Sequence, residues 1–135
     1  MAQLTSPVLT ITRTGTRATL TVRVSVVLDA ANEIPMARRG GSLAVICEIR
    51  EWDRGGTWLR RPVALLPEQV LQGSDFGGGR VADLVFTVQV SKKDLNEDLM
   101  GRDEIMAVTW LMDLRGARRV ETDVTQSGRV RVPKR

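Results

Sequence analysis

Acidic residues between Ser91 and Glu104 are the first candidates for chemistry in this chain of 135 residues. Calcium takes six to eight oxygen ligands, which clustered carboxylates and loop carbonyls can supply. The candidate ligands are Asp94, Asn96, Asp98, Asp103 and Glu104. Their spacing starts like a helix-loop-helix calcium loop but places Leu99 where glycine is needed and Ile105 where a bidentate glutamate is needed. A calcium site here must therefore draw on a second loop, and the alternative is a solvated charged loop with a capped helical turn.

Aromatic residues form the second candidate site. Trp52 and Trp58 flank Asp53-Arg54-Gly55-Gly56, a glycine-bearing hairpin turn, so the two indoles are expected side by side on the outward face. Such a platform suits a sugar ring or a partner protein. Phe76, in the loop from Gly73 to Gly79, is assigned to the same ligand-binding or partner-binding set. The alternative is that the strands twist and the rings cap the core.

Arginines near the C-terminal end form the third candidate. Residues 1–114 carry 13 basic and 14 acidic side chains, whereas residues 115–135 carry 7 basic and 2 acidic ones. Arg115, Arg118 and Arg119 could bind an anion. Nucleic acid is disfavoured, because modules that bind it interleave such charges with stacking aromatics. The alternative is a solubilising rim, followed by a short basic tail at about 133–135.

Missing residue types exclude several enzyme classes. The chain has no histidine and no tyrosine, so Ser-His-Asp triads, Cys-His sites and histidine-bearing zinc sites are absent. Cys47 is the single cysteine and is expected to be an inert core thiol, which favours a reducing, cytoplasmic compartment. No apolar run approaches the roughly 18 residues of a membrane span. We therefore expect a soluble protein that is not an enzyme, without a cofactor unless calcium binds.

Alternating apolar residues predict strands throughout the chain. Ala18 to Asp29, Ser42 to Trp52 and Val81 to Val90 each bury one face and expose the other, as in antiparallel sheets with one wet side. Shorter strands are predicted for Val8–Thr12, Thr57–Arg61, Val120–Thr125 and Arg129–Val132. Pro62 is expected to stop the return strand, and Pro67 to Leu71 could form one helical turn.

Ile105 to Leu114 is predicted to be the central strand. Its even positions are all apolar and are expected to face the core; they are Met106, Val108, Trp110, Met112 and Leu114. Its odd positions are more mixed, and Ile105, Ala107 and Leu111 are the predicted subunit contact. The whole pattern predicts an all-β fold, one antiparallel β-sandwich of about seven to eight strands over residues 1–135, with at most one short helical turn in its loops.

Three hypotheses for function follow from these observations. The leading one is a non-enzymatic assembly or recognition module that binds a protein partner or itself, because outward Val27, Ile46 and Val85 exceed what a solvated sheet needs. The second is a β-sandwich that binds calcium or a carbohydrate through the acidic loop and the tryptophans. The third is an anion-binding or nucleic-acid-binding module that uses the arginines.

Overall fold

Two antiparallel sheets pack face to face in the computed structural model, which describes residues 2–29, 43–52, 62–77, 79–91 and 104–131. Sheet A contains β1 (Gln3–Leu4), β2 (Val8–Thr14), β3 (Arg17–Val27) and β7 (Val81–Ser91). Sheet B contains β4 (Leu43–Trp52), β5 (Pro62–Leu65), β6 (Gln69–Val70), β8 (Glu104–Asp113), β9 (Val120–Gln126) and β10 (Val130–Arg131). The predicted all-β sandwich is confirmed.

In several places two short strands lie one after the other along the same side of a longer strand. Each sheet is therefore narrower than its strand count suggests. In sheet A, β1 and β2 both pair with one side of β3, and β7 pairs with the other side. In sheet B, β9 and β10 share one side of β8, and β5 and β6 share one side of β4. Three of the four sheet edges are therefore made of two short strands.

Sheet A follows the predicted alternation. The inward residues of β3 are buried, with Leu20, Val22 and Val26 all 0% exposed, while the residues between them face solvent. On β7, Ala82, Leu84 and Phe86 are likewise buried and pack into the same core cluster. These positions were identifiable because the opposite face of both strands is polar, so only one face could be the core.

Sheet B has the opposite parity to the one predicted for its central strand. The odd residues of β8 join the core cluster, and the even residues point to the other face of the sheet, where Met106 and Val108 are buried as well. Pairing with β4 decides this, because directly opposed residues point to the same side: Val45 opposes Leu111 and Ile49 opposes Ala107. Ile105, Ala107 and Leu111 are thus core residues, and their prediction as a subunit contact was wrong.

Thr109 is the polar residue that this parity places inside. Its side chain is 0% exposed, and its hydroxyl oxygen Oγ1 lies 2.7 Å from the Thr125 hydroxyl oxygen Oγ1. That hydrogen bond satisfies the buried hydroxyl and removes most of the cost of its burial. A threonine can therefore occupy the core face of β8 although the even residues on its other face are more apolar.

Single side chains join the two sheets at both open sides of the sandwich. On one side, the Leu4 amide donates to Asp123 Oδ2 at 2.8 Å, which links β1 to β9. On the other side, the Gln69 side-chain amide donates to the Val85 carbonyl at 2.8 Å, which links β6 to β7. The core between these links is closed by packing alone.

The predictions around the two prolines have different outcomes. Pro62 is the first described residue of β5, an edge strand of sheet B that tolerates its missing amide hydrogen, whereas the helical turn predicted at Pro67 to Leu71 is wrong. Residues 67–71 form no helical turn, since Gln69 and Val70 pair with β4. The one short helix among the described residues is a 3-10 helix at Gly73–Phe76, inside the predicted loop, and it ends where Gly77 takes a φ of 54°. The predicted strand Thr57–Arg61 and the hairpin turn at 53–56 lie outside the described residues.

Ser127 holds the break between β9 and β10. Its hydroxyl accepts a hydrogen bond from the Ala107 amide at 2.8 Å and donates one to the Gly128 carbonyl at 2.9 Å. Its own amide donates to the Ala107 carbonyl at 2.9 Å. The serine side chain thus replaces the strand backbone that would otherwise pair with buried Ala107.

Ser127→Ala is expected to lower the free energy of unfolding by about 1–3 kcal/mol, because it leaves the buried Ala107 amide without its acceptor. Urea denaturation followed by circular dichroism measures this loss. The matched control is Ser6→Ala, at an exposed position, which should change stability by less than about 0.5 kcal/mol. Equal stability of the two variants would contradict the assignment.

Candidate functional site

The outer face of sheet B carries two apolar ranks that cross the sheet. In the first rank, Val70 opposes Ala44 and Ala44 opposes Met112. In the second, Ile46 opposes Trp110 and Trp110 opposes Val124. Leu65 on β5 opposes Glu48 and lies at the edge of the sheet, one rank beyond that of Ile46. We call this surface the outer apolar face; its members are Ala44, Ile46, Leu65, Val70, Trp110, Met112 and Val124.

Much of the outer apolar face is open to solvent. Leu65 is 65% exposed, Val70 43% and Val124 44%. Ile46, Trp110 and Met112 are half-buried, and Ala44 is buried beneath them. A patch of apolar residues that extends over β4, β5, β6, β8 and β9 differs from the isolated exposed apolar residues of an ordinary surface, and it is typical of an interaction site.

An ion pair borders this face along β4. Arg50 Nη2 lies 2.6 Å from Glu48 Oε2, and Arg50 Nε donates to the same oxygen at 2.9 Å. The Arg50 guanidinium carbon also lies 5.8 Å from the centroid of the Trp110 ring. A cation over an indole face is attracted by the ring quadrupole. The Arg50 guanidinium therefore contributes a cation–π contact to the Trp110 ring.

The outer face of sheet A has a different chemistry. Thr10 opposes Thr21, which opposes Thr87, and the neighbouring rank brings Thr12 opposite Thr19. Ser25 donates a hydrogen bond to Asp83 on the same face. Hydroxyls and charges of this kind suit a solvated antiparallel sheet. The two outer faces thus differ, and only the one on sheet B is apolar across its width.

Two of the three candidate anion-binding arginines already contact carboxylates. Arg115 Nη2 lies 2.8 Å from Asp113 Oδ2, and the Arg115 side-chain hydrogen bonds hold the pKa of Asp113 below its usual value. Arg119 pairs with Glu68, which connects the β8–β9 turn to the segment before β6. Arg118 is exposed. The three arginines therefore do not form one converging cluster, and anion binding stays a prediction.

Most of the predicted calcium ligands lie outside the described residues: Asp94, Asn96, Asp98 and Asp103. Glu104 is described, begins β8 and lies 3.5 Å from Arg129 Nε through its Oε2 atom. Within residues 2–29, 43–52, 62–77, 79–91 and 104–131, no three acidic or cysteine side chains meet as a metal site. Calcium binding stays an untested prediction.

The predicted aromatic platform is only partly within the described residues. Trp58 and the side chain of Trp52 lie outside them, although the backbone of Trp52 ends β4 opposite Glu104. Phe76 is 6% exposed and packs into the core cluster, so the structure gives it a packing role. Sugar binding by this set is untested. The aromatic residue that does lie on an outer face is Trp110, which the parity assigned to β8 had placed in the core.

Comparison with known proteins gives the fold only. No family model matches the chain, and no curated protein matches it. A crystal structure named a putative beta-galactosidase from Bacteroides fragilis superposes with a TM-score of 0.60 at 12% identity, over 97% of this chain and 17% of that one. The chain therefore spans about a sixth of the length of that structure. No helix in the described part of the chain is long and apolar enough to cross a membrane.

Cys47 is the single cysteine of the chain, and the fold buries its thiol. The thiol lies on the core face of β4, opposite Thr109, and is 0% exposed. Burial raises its pKa to about 12, with a smaller contribution from the Glu48 carboxylate. The thiolate, which is the reactive form, is therefore not populated near neutral pH.

The Cys47 thiol is expected to resist a thiol-specific reagent at pH 8 in the native protein and to react at once in 6 M guanidinium. Its labelling rate should follow the fraction of unfolded protein as urea increases, because the sandwich must open before the reagent reaches the sulfur. Labelling in native buffer at the rate of a free thiol would contradict this placement. A Cys47→Ser control establishes the background signal.

Proposed function

We propose that this domain is a non-enzymatic recognition and assembly module, and that the outer apolar face binds its protein partner. The observation that carries the proposal is the pair of apolar ranks across sheet B, centred on Trp110. A protein that needed this sheet only for stability could place polar residues here, as the threonine ranks of sheet A do beside the exposed Val8, Val27, Val81 and Val85. The retained apolar residues are thus explained by contact with another molecule.

The composition of the face suits a protein partner. Tryptophan, methionine and arginine are enriched in interface cores, and tryptophan is among the residues whose removal costs most binding energy. Here a half-buried Trp110 is surrounded by Ile46, Met112 and Val124, with the Glu48–Arg50 ion pair at the border. That arrangement resembles an interface core with a polar rim.

The described ionisable groups favour binding over catalysis. The Cys47 thiol is buried and protonated, and the chain supplies no histidine or tyrosine as a general acid or base. Two acidic residues on the described strands pair with arginines, Glu48 with Arg50 and Asp113 with Arg115. The resemblance to part of a much longer chain supports a β-sandwich module and transfers no catalytic residue at 12% identity.

Charge placed on the outer apolar face tests the proposal. In Ile46→Lys/Val124→Lys, both neighbours of Trp110 become cationic, so an environment-sensitive apolar dye should lose most of its bound fluorescence. The matched control is Thr10→Lys/Thr12→Lys, which adds the same charge to two exposed positions on sheet A. The control should bind the dye as the wild type does. Dye titration with Trp emission as a second readout measures both.

The free energy of unfolding of both variants should lie within about 1 kcal/mol of the wild-type value, because exposed and half-exposed positions contribute little to stability. A large loss of stability in the sheet B variant alone would show that these residues serve the fold. Equal dye binding by the two variants would show that the outer apolar face is not the accessible apolar surface. Either result would overturn the proposal.

A further inference from the structure

Strand β7 is the one edge strand in the described sheets that runs without interruption. It pairs with β3 from Val81 to Ser91 with no break in register. The other described edges are each divided between two short strands, and bulges interrupt the pairing of β5 with β4 and of β9 with β8. Divided and bulged edges are common protections against pairing with another chain.

The sequence of β7 also lacks the usual protections of an edge. It contains no proline, glycine, lysine or arginine, and its single charge is Asp83. That charge is held by a hydrogen bond from the Ser25 hydroxyl on β3. On the outer face, Val81 is 48% exposed and Val85 is 46% exposed. A long, smooth and nearly uncharged edge is what strand pairing between molecules requires.

Two hydrogen bonds determine which backbone groups of β7 face the open edge. The Arg80 carbonyl accepts from the Leu28 amide, so even-numbered residues pair toward β3. The Val85 carbonyl accepts from the Gln69 side chain on the other side, so odd-numbered residues point outward. The alternation of an antiparallel ladder links these two observations. Odd residues from Val81 to Gln89 therefore direct their backbone groups toward the edge, and Gln69 covers the Val85 carbonyl.

We propose that a second copy of this chain pairs with this edge, β7 against β7 in antiparallel orientation, so that sheet A continues across a two-fold dimer. The register of greatest overlap brings odd residues opposite odd residues. It places Asp83 opposite Gln89 and Val85 opposite Thr87 of the other copy, so no like charges meet. Self-complementarity of this kind is what a two-fold interface demands. The Gln69 amide gives up the Val85 carbonyl when the strands pair.

This inference concerns a different surface from the outer apolar face, and each stands without the other. In the paired arrangement the edges of sheet A join, while the outer apolar face of each copy stays open for a partner. Homodimerisation and partner binding are therefore separable by mutation.

Light scattering on a sizing column tests the dimer. At about 100 µM the measured mass should be about 30 kDa, twice the 14.9 kDa of one copy, and the dimer should dissociate on dilution. Val85→Lys should shift it to the monomer. The matched control is Val8→Lys, because Val8 is a similarly exposed valine in the same rank, on the opposite edge of sheet A. Thr87→Lys, at an already exposed polar position, provides a second β7 variant with little effect on folding.

Amide hydrogen exchange gives a readout specific to strand pairing. In the wild type, the odd-numbered amides of β7 should become slower to exchange as protein concentration rises, while the even-numbered amides, already paired with β3, should not change. A monomer at 100 µM, a dimer that survives both Val85→Lys and Thr87→Lys, or β7 amides insensitive to concentration would each overturn the inference. A dimer that Ile46→Lys/Val124→Lys dissolves while Val85→Lys does not would also overturn it, and would leave the proposed function standing.

Discussion

The register between β4 and β8 is the constraint on which both surfaces of sheet B depend. Ten residues of β4 oppose ten of β8, from Leu43 and Asp113 to Trp52 and Glu104, without a bulge. Because side chains alternate with period two, a slip of one residue would exchange the two faces of one strand. On β4 such a slip would carry Glu48 and Arg50 into the core. The register thus fixes at once which residues bury between the sheets and which form the outer apolar face.

Strand β8 shows most clearly what could not be predicted from the sequence alone. On β3 and β7 one face is polar, so alternation alone identified the core residues. On β8 both faces are apolar, and the even residues are the more hydrophobic set, which led to the wrong parity. The deciding contacts are non-local: Val45 opposite Leu111, and the Thr125 hydroxyl that satisfies Thr109. Strand β6 was likewise missed because two residues form a strand only by pairing with β4. The candidate ligands placed in loops were identified by residue type, and local spacing cannot say which loops converge.

The two outer faces divide the surface by chemistry. Sheet A presents threonine hydroxyls in register, together with the exposed Val8, Val27, Val81 and Val85. Sheet B presents Trp110 between Ile46 and Val124, with the Arg50 guanidinium over the ring. Part of the positive charge near the C-terminal end is paired with acidic residues, because Arg115 contacts Asp113 and Arg119 contacts Glu68.

The hydrogen bond from the Leu4 amide to Asp123 also bears on how the molecule is made. It joins positions 119 residues apart, the largest separation among the hydrogen bonds described above. Contacts between distant parts of a chain form slowly, because loop closure must come before any favourable contact. On a ribosome, β1 emerges long before β9 exists. Although β1 can pair with β3 earlier, the link between the Leu4 amide and Asp123 can form only after β9 has been synthesised. This single hydrogen bond therefore ties one of the first strands of the chain to one of the last.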